Sequence, residues 1–416
     1  MGAGITIVVI SCVVVMLHHT VGCACQTIIE TNKKLLPVED RAKIASMYSN
    51  VIGCLALGSF LTPAIKQALK YPADAEAHYK HVLDETKRYR QGRPHCHISF
   101  CGPWIEHLFI AKYEQKDYTY FNGLIPIFIP WTDFAPADLR NLNPNAEMTN
   151  HLRTILRTDV LYFTVSQHDR GFGVTMAKLF PNILVLNAGG FGHIPIPLIR
   201  GVHPLLLKDS LKIAYEVGFI GAVNSGRSKW VPLLCDSAKA IGLGCEIAGG
   251  IKDDANRQWQ RKMSAIGFQM APRGFGRTSF RLAESLQMGR PVVYIHSGVN
   301  WTPYQGTDAD ISHLGFTVDV SQPNAPQAVE DVAKRIKAIM GDTVQAGRFS
   351  AEYSMIHQRV ADARYLYTYE GLLDQIVLFI KHPFGEGNAT ASRLRCIPHP
   401  INHTLDTVPW HDIGTM

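Results

Sequence analysis

Apolar and polar residues alternate in two rhythms along this chain, and the change of rhythm divides it. Over residues 27–90 apolar positions recur at helical spacing with charged residues grouped on faces, which predicts a helical lead-in or stem. The apolar patch at 51–61 is too short to span a bilayer. From residue 95 onward, short apolar runs at 125–130, 160–165 and 183–187 read as buried strands, with helical patterns at 146–157 and 173–180 between them. A proline-rich segment, 193–204, reads as a linker. Beyond it the alternation resumes, with strands at 215–221, 266–270 and 316–320, a further strand ending near His296, and helices at 227–240 and 326–340. A last helical stretch, 351–380, is expected to pack back across the interdomain side.

Strands that are apolar throughout and separated by helices imply parallel sheets covered on both faces. The expected fold is α/β with two Rossmann-like domains. Its parts are a targeting segment at 1–25, the lead-in at 26–92, an N-terminal Rossmann-like domain at 93–203, a C-terminal one at 204–382, and an irregular tail at 383–416 rich in proline and glycine.

Chemistry concentrates in residues 267–295, GFQMAPRGFGRTSFRLAESLQMGRPVVYI. Pro272 stops a strand, Gly274 and Gly276 let backbone come close to a ligand, and Thr278 or Ser279 can cap a helix whose first amides face an anion. Arg277 and Arg281 are four apart and Arg281 and Glu284 three apart, spacings that put all three on one helical face. Guanidinium forks suit diphosphate oxygens, and an acid one turn deeper suits ribose hydroxyls. An ordinary surface ion pair between Arg281 and Glu284 is the bland alternative. A nicotinamide-binding turn fits less well, because Ser279 stands where a third glycine is needed and no acid follows the second strand.

Pro272-Arg273-Gly274, Ser279-Phe280-Arg281, Glu284, Leu286-Gln287 and Pro291-Val292 resemble, in order and spacing, the donor-binding motif of the exostosin family of glycosyltransferases. Further likenesses are IPIFIPWTD at 125–133, IPIP at 194–197, and Phe219-Ile220-Gly221 with Arg227, so the resemblance covers roughly residues 98–381. It implies a GT-B fold with parallel sheets facing a cleft, a nucleotide-sugar donor, commonly UDP-linked, and transfer to a glycan with inversion at the sugar carbon. It also implies nucleotide contacts by Arg281 and Glu284, whereas Arg277 has no fixed counterpart in the family pattern.

For such a transfer, Arg227, Arg273, Arg277, Arg281 and the helix amides would stabilise the departing diphosphate, with Gly274, Gly276, Ser279 and Glu284 completing the donor site. No metal or cofactor beyond the UDP-sugar co-substrate is then required. The general base is expected at Asp169, which follows an apolar strand, with Asp133 and Asp138 as rivals. Asp308-Ala309-Asp310 has the spacing of a manganese-binding acidic pair but lies in a polar loop. His95-Cys96-His97 with Cys101 lacks a second cysteine pair for zinc.

Composition narrows the setting. A chain of 416 residues, 46% apolar, is long enough for two domains. Its net charge of +6 is spread out, which argues against nucleic acid and suits anionic donors or acidic polysaccharides. The apolar run at 5–17 falls short of the roughly 20 residues of a spanning helix. Gly22, Cys23 and Ala24 fit a cleaved secretory signal, and an uncleaved anchor extended through Val21 is the competing reading. The family's habit is an anchor in the Golgi or ER membrane with a luminal catalytic domain; cleavage would secrete it. Cys54, Cys96, Cys101, Cys235, Cys245 and Cys396 allow one or two disulfides whose pairing spacing does not give. Sequons at Asn300, Asn388 and Asn402 agree with luminal exposure. Homo- or hetero-oligomerisation stays open. Two other classes compete with a transferase: a catalytically silent homologue that binds glycan or stabilises a complex, and a lectin or hydrolase unrelated to nucleotides.

Overall fold

The computed structural model describes residues 38–57, 60–90, 102–134, 146–169, 173–201, 212–224, 226–249, 258–341, 349–384 and 391–398. The segment at 1–25, the 95–101 cluster, Asp138, Asn388, Asn402 and most of the tail lie outside them. The chain divides after Ser46, and residues 47–416 form one compact body that carries both sheets. Among the described residues no helix is long and apolar enough to cross a membrane.

The lead-in contains α1 (Val38–Ala56), α2 (Pro63–Ala68) and α3 (Ala75–Thr86). From Met47 onward it packs on the first sheet through tyrosine hydroxyls, which bury their rings while keeping a partner for the oxygen. Tyr48 donates to the Gly123 carbonyl at 2.9 Å, and the Tyr162 hydroxyl lies 2.6 Å from His78 Nε2. This part is therefore docked on the body.

The first half follows with α4 (Ile105–Tyr113), β1 (Ile125–Pro126), a 3-10 turn at Trp131–Phe134, α5 (Ala146–Ile155), β2 (Tyr162–Ser166), α6 (Gly173–Leu179), β3 (Ile183–Asn187) and β4 (Ile194–Pro195). The four strands pair in parallel in the order β1-β2-β3-β4. The expected strand at 125–130 shrinks to two residues, because after Pro126 the chain leaves the ladder and turns into Trp131–Phe134. The expected linker at 193–204 also needs correction. Ile194 and Pro195 pair with Leu186 and Asn187, so its start is a strand. Proline is tolerated there because β4 is an edge strand, where a missing N–H breaks no further ladder bond.

The second half runs β5 (Tyr215–Ile220), α7 (Arg227–Ala240), β6 (Cys245–Ala248), α8 (Gln258–Ser264), β7 (Ile266–Pro272), α9 (Phe280–Gln287), β8 (Val292–His296), α10 (Ile311–Leu314), β9 (Gly315–Asp319) and α11 (Ala325–Met340). Its five strands are parallel in the order β6-β5-β7-β8-β9. On one face α7 and α11 bury Val231, Leu234, Val329 and Ile336 against Val217, Phe268 and Val293. On the other, Trp259, Met263 and Met288 cover Ile220 and Ile266. Each such side chain contributes about 1.5–3 kcal/mol on burial. The order reverses direction between β5 and β7, and ligands of open parallel sheets settle at such a reversal, beyond the carboxyl ends of the strands.

The last helical stretch is two helices, α12 (Ala351–Ala363) and α13 (Tyr369–Lys381), broken by a 3-10 turn at Arg364–Tyr367. α13 returns to the first half, where the Leu373 and Ile380 carbonyls accept from Tyr113 at 3.0 Å and Asn122 at 3.1 Å. Among the described residues two disulfides form, Cys54–Cys396 and Cys235–Cys245.

Candidate functional site

A cavity of about 300 Å³ opens where the carboxyl ends of β2, β5 and β7 meet. The first half supplies Trp104, Thr132, Gln167, His168, Asp169, Leu198 and Arg200. Facing them are Gly221, Ala222 and Asn224 from the loop after β5, and Arg227, Arg273, Gly274, Phe275, Thr278, Ser279, Phe280 and Arg281. Of the donor residues expected from sequence, Arg227, Arg273, Gly274, Ser279 and Arg281 thus converge on one cavity, with Asp169 across from them.

The turn 273–279 is held by its own hydrogen bonds. The Gly274 amide donates to the Thr278 carbonyl at 2.8 Å, and the Arg273 amide to Ile295 at 2.9 Å. Ser279 caps α9, its Oγ accepting from the Arg281 amide at 3.2 Å. The Arg281 amide is thus committed to the cap.

Arg227 ties the turn to the start of α7. Its Nε donates to the Arg273 carbonyl at 3.1 Å, and its guanidinium lies over the Phe219 ring, 5.6 Å from the centroid. Burial, then the charge of Arg281, pushes Arg227 down to about 10. Arg273 is also lowered by burial, while Tyr294 and Asp169 act against the shift. Burial thus disfavours the charge of each guanidinium, a cost that a bound anion would relieve. Asp169 is the acidic side chain lining this cavity, and its charge acts on both guanidiniums.

Arg281 is oriented from two sides. Nε donates to the Ile220 carbonyl at 2.5 Å and Nη1 to Glu284 Oε2, while Trp259 lies under the guanidinium at 5.3 Å. Nη2 has no hydrogen-bond partner among the described residues, and Arg281 lines the cavity. Glu284, 1% exposed, does not line it. Its carboxylate orients Arg281, which differs from the expected contact with a ligand hydroxyl.

Two further site residues require correction. α9 begins at Phe280, so Arg277 precedes the cap and shares no helical face with Arg281. Its guanidinium lies over the Trp301 ring at 5.8 Å, its amide donates to the Gly189 carbonyl at 2.8 Å, and it does not line the cavity. Burial and then Arg273 push it down to about 9. Gly276 serves packing between the halves. A Cβ there would meet the Gly189 carbonyl oxygen at 2.2 Å and Asp169 Oδ1 at 3.0 Å.

Asp133 does not line the cavity. Its Oδ2 lies 2.8 Å from His107 Nε2, while His107 Nδ1 accepts the Trp104 amide at 3.0 Å. Since Nδ1 accepts, Nε2 carries the proton that Asp133 receives. In the loop after Tyr304, Asp308 pairs with Arg393 at 2.7 Å, and Asp310 caps α10 by accepting from the Ser312 amide at 2.9 Å. Both acids of the suspected metal pair thus have structural partners.

Sequence reasoning missed Glu106, Thr132 and Gln167. Glu106 is 1% exposed, and its Oε1 accepts from the Thr132 hydroxyl at 2.6 Å and the Gln167 backbone N–H at 2.9 Å. Burial raises its pKa, against those hydrogen bonds. A glutamate on an apolar helix was the available signal: α4, IEHLFIAKY, is apolar around it.

No protein-family model matches the chain, and no curated protein matches its sequence. Solved structures show limited likeness, among them the following two. The GtfA/B complex is 12% identical over 53% of this chain and 45% of that one, with a TM-score of 0.31. The pneumococcal O-GlcNAc transferase GtfA in complex with UDP and GlcNAc is 14% identical over 53% and 44%, with a TM-score of 0.28. The chain thus covers under half the length of either, and likeness of this degree assigns neither fold nor activity.

Proposed function

We propose that the chain is a GT-B glycosyltransferase of exostosin type, transferring a sugar from a nucleoside diphosphate sugar, UDP-linked by preference, to a glycan hydroxyl with inversion. The observation that carries this reading is the convergence of Arg227, Arg273 and Arg281 on one cavity at the strand reversal, faced by Asp169. Half-buried guanidiniums gathered on one cavity, with burial and then Arg281 lowering Arg227, call for a multiply charged anion, and a diphosphate matches the guanidinium fork.

In this reading Arg281, aimed by Glu284 and the Ile220 carbonyl, holds the diphosphate together with Arg273 and Arg227. Their fixed charges stabilise the leaving group as the glycosidic bond breaks, without a metal step. Asp169 takes the proton from the attacking hydroxyl. Work on a glycan in the secretory pathway, with membrane attachment through the N-terminal segment, belongs to the same proposal, in agreement with the two disulfides.

The test is calorimetric titration and thermal unfolding with UDP and UDP-sugars. A ligand at 100 times its Kd stabilises the folded state by about 2.7 kcal/mol. Arg281→Lys keeps a charge beside Glu284 but loses the fork, so UDP binding is expected to weaken about tenfold. A wild-type protein whose melting temperature no nucleoside diphosphate alters would reject the reading. Binding without transfer or donor hydrolysis would leave a silent nucleotide-binding homologue.

A further inference from the structure

We infer that Gln167 and Thr132 form a hydroxyl-recognition pair on the wall of the cavity opposite the arginines, which selects and orients the acceptor sugar; this rests on the donor-site reading above. Both residues line the cavity. Gln167 is 3% exposed, and its amide orientation is fixed because Oε1 accepts the Ile105 backbone N–H at 2.9 Å. Nε2 is therefore a donor, buried and without a hydrogen-bond partner among the described residues. The Thr132 hydroxyl proton is committed to Glu106 Oε1 at 2.6 Å, so any further partner finds Thr132 Oγ as an acceptor only.

A group that must receive one hydrogen bond and give another matches a sugar hydroxyl, whereas a carbonyl or an ammonium satisfies only one side. Glu106 keeps the two residues in register, since its Oε1 accepts from both the Thr132 hydroxyl and the Gln167 backbone N–H. Gln167 lies two residues before Asp169, on the same strand exit and the same cavity. A hydroxylated ring anchored by Gln167 and Thr132 would thus have a neighbouring hydroxyl at the proposed base. Glu106 acts as a positioning residue and touches no ligand.

The experiment uses the full chain loaded with UDP and a panel of methyl glycosides, read by saturation-transfer NMR, for wild type, Gln167→Glu and Gln167→Met. Glutamate keeps the acceptor for the Ile105 amide and removes the donor; methionine removes both without adding charge. Glycoside binding is expected to weaken about tenfold in each variant while the UDP-induced shift in melting temperature stays at its wild-type value. Wild type that binds UDP but no glycoside, or variants that bind glycosides as wild type does, would overturn the pair. Loss of the UDP shift in wild type would instead count against the donor reading.

Discussion

Glu106 shows how a single buried side chain can shape a site it never enters. Its carboxyl holds its proton more tightly in the fold than in the unfolded chain, where the ordinary value is 4.5, because burial disfavours the charge. The contribution of this group to stability is fully present below that value and is lost as pH rises through the raised folded value. Glu106→Gln cannot ionise, so its melting temperature relative to wild type is expected to climb as pH rises above 4.5. A difference that stays constant across that range would contradict the assignment. Spacing revealed Arg281 and Glu284 as neighbours, because helical periodicity is local. It did not reveal which way each faces, and it misplaced Arg277, because the spacing of four from Arg281 puts a residue on the same face only inside a helix, and Arg277 precedes the Ser279 cap.

Among the elements, α9 matters most, since it begins at the turn that rims the cavity and packs Leu282 and Leu286 into the interior. Its cap is the Ser279 side chain. Ser279→Ala is expected to destabilise the protein by about 1 kcal/mol, measured by chemical denaturation, because a helix-start amide loses its acceptor. An unchanged midpoint would mean that the turn is held by Arg227 and backbone bonds alone. In the second half β5, β7 and β8 follow the apolar pattern closely, since short runs buried on both faces leave little freedom in where an element starts, whereas β6 and α8, less apolar, are not anticipated by it. The first half departs more, as β1 and β4 contain only two residues each and prolines end their ladders.

At the scale of the molecule, the disulfide Cys54–Cys396 joins the lead-in to the segment after α13. Cys396→Ser is expected to lower unfolding free energy by about 2–5 kcal/mol, and a reductant should lower it in wild type at least as much, since it also opens Cys235–Cys245. Equal stability with and without reductant would show that the bond does not form in solution. The two halves meet closely at Gly276 and Gly189, whose contact leaves no room for a Cβ, and that approach brings Asp169 beside the arginine turn.

The sequence by itself determined the α/β alternation, the linear motif around Arg273 and Arg281, and a helix cap at Thr278 or Ser279, since each depends on residues within a few positions of one another. Tertiary structure alone decided which cysteines pair, that Arg277 lies over Trp301, and that Gln167 and Thr132 share Glu106. Those outcomes depend on burial and on groups far apart in the chain, and hydrophobic periodicity encodes which face is buried but not which distant partner it meets.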